Sequence, residues 1–220
     1  MIQGQTLISF WRQARKKLDD RSLIKETLDG DKNAFKELVK KYESQVAATV
    51  IGMLGPSPEA EDVGQETFIR FYRALAGFRG ESSVATYITR IAINLCLNEI
   101  KRRGRHRTRY VIDGEKKLES LAHNPGTENR DAMTRLANLG LQRLDPKFRC
   151  VIVLRLIDGH TTRETAEILR LPEGTVLSRL ARGQQKLKEI LSHYYYSKNT
   201  DHANDKDKNA RGMDHEQENA

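Results

Sequence analysis

The chain has 220 residues, of which 38% are hydrophobic and only 6% aromatic; this is enough for small helical cores and argues against a sandwich of many short strands. Lys and Arg number 38 against 30 Asp and Glu, and the net charge of +8 points to a polyanionic partner such as nucleic acid. No apolar run approaches the roughly 18 residues of a membrane span, Met1 to Phe10 does not read as a leader, and two cysteines (Cys96 and Cys150) make neither a disulfide framework nor a zinc cluster. A cytoplasmic protein without membrane insertion, metal or cofactor is expected.

Apolar residues recur at helical spacing almost throughout, which predicts an all-α protein. Residues 1–21 form an N-terminal extension. Leu7, Ile8, Phe10 and Trp11, followed by Arg12, Arg15, Lys16 and Lys17, fit either a short amphipathic helix or a loosely packed basic arm. Residues 22–103 read as the first compact unit. Phe35, Leu38, Val39, Tyr42, Val46, Val50 and Leu54 mark one face of its opening helix, which Gly55-Pro56-Ser57-Pro58 breaks. Ser57 can cap the next helix, Pro58 suits its first turn, and Glu59, Glu61 and Asp62 complement the helix dipole. That helix is expected to turn Phe68, Phe71, Tyr72 and Leu75 inward and to end near Gly77. A third helix follows Gly80-Glu81-Ser82-Ser83 and runs to about Arg103.

Residues 104–131 carry turn signals and no lasting apolar periodicity, and read as a flexible linker. Residues 132–192 form the second unit. Met133, Leu136, Ala137, Leu141 and Leu144 mark its first helix, and Asp145-Pro146 caps the next, which runs to Gly159. Thr161-Thr162-Arg163-Glu164 is a capping box that opens a short helix. A turn from Leu171 to Gly174 leads to a last helix with Val176, Leu180, Leu187, Ile190 and Leu191 inward. Residues 193–220 are polar and aperiodic, and are predicted to be a disordered tail.

Three surfaces carry chemistry. Asp62, Glu66, Ile69 and Arg73 share the outer face of the second helix at spacings of four, three and four. An aliphatic side chain among carboxylates fits a docking face for a basic helical partner, or a solvated face with one stray isoleucine. The third helix has a narrow polar stripe of Arg90, Asn94, Asn98 and Lys101, followed by Arg102, Arg103, Arg105, Arg107 and Arg109. Amides and cations in a row suit base edges and phosphates. In the second unit, the short helix, the turn and a last helix with Thr175, Ser178, Arg182 and Gln185 outward fit a helix-turn-helix. The chain lacks a glycine-rich phosphate loop, a nucleophile elbow and a His-Glu metal spacing, and its six His are scattered, so no catalytic role is expected.

These stretches carry a resemblance. Pro58-Glu59-Ala60-Glu61-Asp62-Val63-Gly64-Gln65-Glu66-Thr67-Phe68-Ile69-Arg70-Phe71-Tyr72 resembles the signature of region two in bacterial RNA polymerase sigma factors. Thr86 to Glu99 resembles the adjoining segment that melts the promoter and reads the minus-ten element. Leu144-Asp145-Pro146 onward, through Thr165-Ala166-Glu167-Ile168-Leu169 to Gly174-Thr175-Val176-Leu177-Ser178-Arg179-Leu180, resembles region four. Two such units on a linker resemble the extracytoplasmic-function (ECF) group of the sigma-70 family.

The resemblance implies a two-domain helical fold, core RNA polymerase and promoter DNA (duplex and single-stranded) as partners, and an anti-sigma factor. By the same resemblance, Asp62, Gln65, Glu66, Ile69 and Arg70 would meet the polymerase. Phe78, Ser82, Ser83, Tyr87, Arg90, Asn94, Asn98, Lys101, Arg102 and Arg103 would face the minus-ten strand. Thr161, Thr162, Arg163, Thr175, Ser178, Arg179 and Arg182 would face the minus-thirty-five element. Gly183-Gln184 stands where the family commonly has Ala-Arg. The rival reading is a helix-turn-helix regulator that binds duplex DNA without being a polymerase subunit.

Overall fold

The computed structural model describes residues 19–107 and 129–212, with side-chain surroundings for 19–104 and 133–192. The N-terminal extension up to residue 18, the middle of the linker and residues 213–220 lie outside the described residues. Within them the chain is helical: α1 (Asp20–Leu28), α2 (Lys32–Leu54), α3 (Pro58–Ala74), α4 (Val84–Arg107), α5 (Asn129–Arg143), α6 (Pro146–Ile152), α7 (Thr162–Leu169) and α8 (Glu173–Gly212). A 3-10 turn, Leu75–Gly77, ends α3, and a π turn, Val153–Ile157, follows α6.

α2 is the axis of the first unit. Asp31 caps it by accepting from the Asn33 N–H at 2.8 Å, and Gly55 stops it with a positive φ of 75°. Leu38, Val46, Val50 and Met53 line its buried side and pack against Phe71 and Leu75 of the α3 end and Ile88, Ala92, Ile93 and Cys96 of α4. Each such side chain removes about 1.5–3 kcal/mol of apolar surface from water. α1 was not anticipated as a separate helix. Asp20 ties it to α2, accepting from Tyr42 Oη at 2.6 Å and Lys41 Nζ at 2.5 Å.

Several expectations need correction. Tyr72 is 51% exposed and lies edge-on to Phe35 at 4.8 Å, while Thr67 is buried in its place, because the inward stripe of α3 runs Thr67–Phe71–Leu75 at strict four-residue spacing. Gly174 does not make the helix-turn-helix turn. It lies inside α8, and the turn pivots on Arg170, whose φ of 52° is left-handed. α8 continues through residues 193–212, part of the stretch 193–220 expected to be a disordered tail. Between Gly183 and Gly212 the sequence has neither Gly nor Pro to stop it. The linker is shorter at both ends, since α4 reaches Arg107 and α5 begins at Asn129.

The two units share one apolar cluster, in which Val151, Val153, Leu154, Ala166, Ile168 and Val176 join the α2–α4 core. The close approach is set by Gly52 of α2, where a Cβ would meet Val153 at 2.9 Å. Polar contacts frame it. Thr49 Oγ1 donates to Asp158 Oδ2 at 2.8 Å, Gln142 Nε2 to the Gly52 carbonyl at 3.2 Å and Arg149 Nη1 to the Met53 carbonyl at 2.6 Å. His160, also buried, lies 3.4 Å from Gln45 Nε2.

Burial pushes the Asp158 carboxyl up to about 6, although the Thr49 hydrogen bond favours its charged form. A carboxyl with a raised folded pKa stabilises fully below its ordinary value of 3.8, and that contribution is lost as pH rises through about 6. His160 acts the other way: burial holds it below its ordinary value, so its contribution is lost as pH falls. Asp158→Asn keeps an acceptor for Thr49 and removes the charge. It should therefore stabilise the protein by about 1–2 kcal/mol at pH 7.5 and much less at pH 4.5, measured by urea unfolding. Equal gains at both values would contradict this assignment.

Candidate polymerase and nucleic-acid interfaces

The first surface is built on α3. Ser57 Oγ caps the helix by accepting from the Ala60 N–H at 3.3 Å, Pro58 occupies the first turn, and Glu59 and Glu61 sit at the positive end of the dipole. With Phe71 and Leu75 locked inward, the opposite face presents Asp62, Gln65, Ile69 and Arg70 to solvent, with Glu66 half-buried beside them. Arg70 Nε donates to Glu66 Oε1 at 2.7 Å, which holds both side chains along the ridge. Ile69 is 45% exposed among these charges.

The second surface joins the loop after α3 to α4. Ser83 Oγ accepts from the Thr86 N–H at 3.0 Å, so this side chain starts α4. Tyr87, one turn on, lies edge-on to Phe78 at 5.1 Å. Phe78, Arg79, Ser82, Tyr87 and Arg90 line a cavity of about 640 Å³, and Arg90 Nε is buried there without a hydrogen-bond partner. Aromatic rings, a hydroxyl and a guanidinium with an unpartnered Nε are groups suited to an unstacked base. Asn94, Asn98, Lys101 and Arg102 continue outward along the exposed side of α4, with Arg102 paired to Glu99 at 2.7 Å.

Arg103 departs from the expected stripe. Its guanidinium turns inward to Glu99 at 3.0 Å, Ser57 Oγ at 3.1 Å, Glu59 at 3.2 Å and the Leu54 carbonyl at 3.4 Å. It ties the C-terminal half of α4 to the α2–α3 corner. The side chains of Arg105, Arg107 and Arg109 lie outside the described residues.

The third surface is the helix-turn-helix of α7 and α8. Thr161 Oγ1 accepts from the Glu164 N–H at 3.2 Å, and Glu164 accepts from the Thr161 N–H at 2.7 Å, a complete capping box. Ser178 and Arg182 are exposed on α8, and Thr175 and Arg179 are half-buried at its edge. Thr162 is half-buried, while Arg163 is fully outward and loosely paired with Glu167 at 3.6 Å. Thr161 is thus occupied in shaping the helix end, whereas Arg163, Ser178 and Arg182 are presented outward. Gly183 packs closely, and a Cβ there would meet Ile152 at 3.2 Å and Phe148 at 3.3 Å, tighter than ordinary contact. A glycine at the place of the usual alanine relieves this crowding.

Sequence reasoning missed Arg149. It is only 6% exposed, donating from Nη1 to Met53 O and to Gln142 Oε1 at 2.8 Å, and from Nη2 to Gln142 O at 2.6 Å and Leu144 O at 2.9 Å. Its signal in the sequence was a single cation set in the apolar run Phe148-Arg149-Cys150-Val151-Ile152.

Two sigma-70 families match the chain in order, region 2 over residues 38–106 and region 4 over residues 140–189. The RNA polymerase sigma-H factor of Pseudomonas aeruginosa is 31% identical over 180 residues, covering 78% of this chain and 93% of that protein. The ECF RNA polymerase sigma-E factor of Escherichia coli K12 is 32% identical over 178 residues, covering 77% and 93%. The chain belongs to the sigma-70 family of RNA polymerase sigma factors, in its ECF group. Among solved structures, CnrH in complex with the cytosolic domain of CnrY is similar with a TM-score of 0.58 and 26% identity, covering 79% of this chain and 97% of that one. The sigma factor RpoE in complex with the anti-sigma factor NepR from Bartonella quintana shares the fold, with a TM-score of 0.57 and 21% identity over 72% and 96%.

The inward turn of Arg103 yields a prediction. Arg103→Ala should destabilise the protein by about 1 kcal/mol through the lost hydrogen bonds, whereas Lys101→Ala should leave the thermal midpoint unchanged. Equal midpoints for the two variants would show that Arg103 does not tie the corner.

Proposed function

We propose that the chain directs core RNA polymerase to promoters through three divided tasks. The edge Asp62–Gln65–Glu66–Ile69–Arg70 of α3 docks on the polymerase. The Phe78–Tyr87–Arg90 pocket and the Asn94–Asn98–Lys101 stripe hold the melted minus-ten strand. The outer edge of α8 reads duplex DNA at the minus-thirty-five element. The observation that carries the reading is the presence of both sigma regions, in order, on one chain that leaves Asn94, Asn98, Lys101, Ser178 and Arg182 exposed. A regulator of duplex DNA has no use for an exposed Ile69 among carboxylates, and the sigma reading does.

The mechanism proposed is recognition without a reaction carried by this chain. Carboxylates and an aliphatic on α3 complement a basic, apolar helical partner. Unstacking a base costs a few kcal/mol, which the aromatic pocket offsets by stacking. Reading a second element on the same DNA raises the effective concentration of the first contact. The proposed setting is cytoplasmic, and no described helix is long and apolar enough to cross a membrane. An anti-sigma factor is proposed as a further partner, supported by the two similar sigma folds solved with CnrY and NepR.

Glu66→Lys sets a second cation beside Arg70, and should weaken binding to core polymerase about tenfold or more in a fluorescence titration, with helicity unchanged. Wild-type affinity would remove Glu66 from the interface. Asn94→Ala combined with Asn98→Ala should leave core binding intact and lower open-complex formation, read by permanganate footprinting. Loss of core binding instead would move this stripe to the polymerase side.

A further inference from the structure

Resting on the sigma reading, we propose that Leu177 of α8 is a specificity-determining residue, whose side chain packs on the 5-methyl group of a thymine in the upstream duplex element and selects that base. Exposure supplies the first observation. Leu177 is 53% exposed, beside the outward Ser178 and Arg182. A lone exposed leucine is ordinary on a protein surface. This one stands on the second helix of a helix-turn-helix, and its neighbours keep it outside. Val176 is fully buried in the core, Leu180 packs against it, and Gly183 lies against Ile152 and Phe148. These contacts fix the phase of α8. Leu177, about 100° around the helix from Val176, cannot turn inward.

The second observation is Gly174. It lies three residues before Leu177, a neighbour on the same side of the helix. Its φ is not positive, and a Cβ there would meet nothing within 4 Å. Neither backbone conformation nor packing inside the chain calls for a glycine, which is a poor helix former. Ala181, exposed four residues after Leu177, is small as well. Leu177 therefore projects from its side of α8 with low ground on both flanks, and a groove floor can come close to it.

The chemistry of the groove decides what it meets there. The base edges of the major groove offer donors, acceptors and one methyl group, that of thymine. An aliphatic side chain neither donates nor accepts, so it gains only over that methyl. The neighbouring groups divide the remaining work. Arg182 makes no hydrogen bond or ion pair among the described residues, and suits a phosphate or a guanine edge. Ser178 Oγ donates to the Thr175 carbonyl at 3.1 Å, so its hydrogen is spent within the helix and its oxygen is left to accept. Glu173, exposed one turn before Leu177, repels phosphates from that shoulder and leaves it to base edges.

The test uses the full chain assembled with sigma-free core polymerase, on promoter duplexes selected by that holoenzyme. Each thymine of the upstream element is replaced singly by deoxyuridine, which lacks only the 5-methyl group, and holoenzyme affinity is measured. At one position the wild type should bind the uracil duplex about three- to fivefold more weakly, the worth of one buried methyl. Leu177→Ala should bind the thymine duplex more weakly by a similar factor and be indifferent to uracil at that position alone. Its thermal midpoint should match the wild type. Leu156→Ala, at a position 54% exposed and away from α8, should keep the wild-type response to uracil.

The assignment is overturned if Leu177→Ala keeps the wild-type sensitivity at every position, if the wild type ignores uracil throughout, or if the selected element holds no thymine. Absence of a holoenzyme on a native gel overturns the sigma reading instead. The same cycle, run on duplexes selected by the full chain alone, then decides Leu177 by the same outcomes.

Discussion

A buried guanidinium without a carboxylate governs this structure. Arg149 is held below its ordinary pKa by burial, and among the described residues no acid lies within ion-pair distance. Its charge is met by carbonyls at the C-terminal ends of two helices, Met53 of α2, Gln142 in the last turn of α5 and Leu144 just beyond it, where the helix dipoles place partial negative charge. An unpaired buried charge would cost several kcal/mol, so these carbonyls must converge for the fold to form. That requirement fixes the angle between α5 and α6, and with it the platform on which the helix-turn-helix stands. It also gives the two units a shared point of contact at Met53.

Beside this constraint stands a division between residues that hold the core and residues left facing outward. Phe71, Leu75, Ile88 and Cys96 hold α3 and α4, and their positions decide which side of each helix remains outside. The outward edges then carry Asp62, Ile69, Asn94 and Asn98. Arg103 and Lys101 stand two positions apart in one basic run and fall on opposite sides of this division, because α4 turns about 100° per residue. In region 4, Gly183 lets α8 settle on Ile152 and Phe148, and so aims Ser178 and Arg182 outward.

Much of this was legible in the sequence. The Ser57-Pro58 start of α3, the capping box at Thr161 and the apolar periodicity of α2 are local signals, and local physics decides them. The exposed Ile69 and the polar stripe of α4 follow from helical phase. What remained hidden depends on contacts distant along the chain. Arg149 acts through Met53, Asp158 through Thr49, and Glu167 and Arg170 at a pocket built by residues 77–90; no periodicity reveals such pairs. Gly174 misled because glycine suggests a turn, whereas Arg170 adopts the left-handed conformation itself. The polar tail misled because polarity alone does not tell helix from coil, and no Gly or Pro interrupts residues 184–211.

The central claim is that this chain gives a polymerase the ability to start at chosen sites. The most direct test adds the purified protein to sigma-free core polymerase on a library of promoter-sized DNA fragments and sequences the transcript starts. Discrete starts that require the protein, preceded by two shared sequence elements at constant spacing, are the predicted result. No protein-dependent starts, with tight binding of the protein alone to specific duplexes, would contradict the account and favour a regulator that works outside the polymerase.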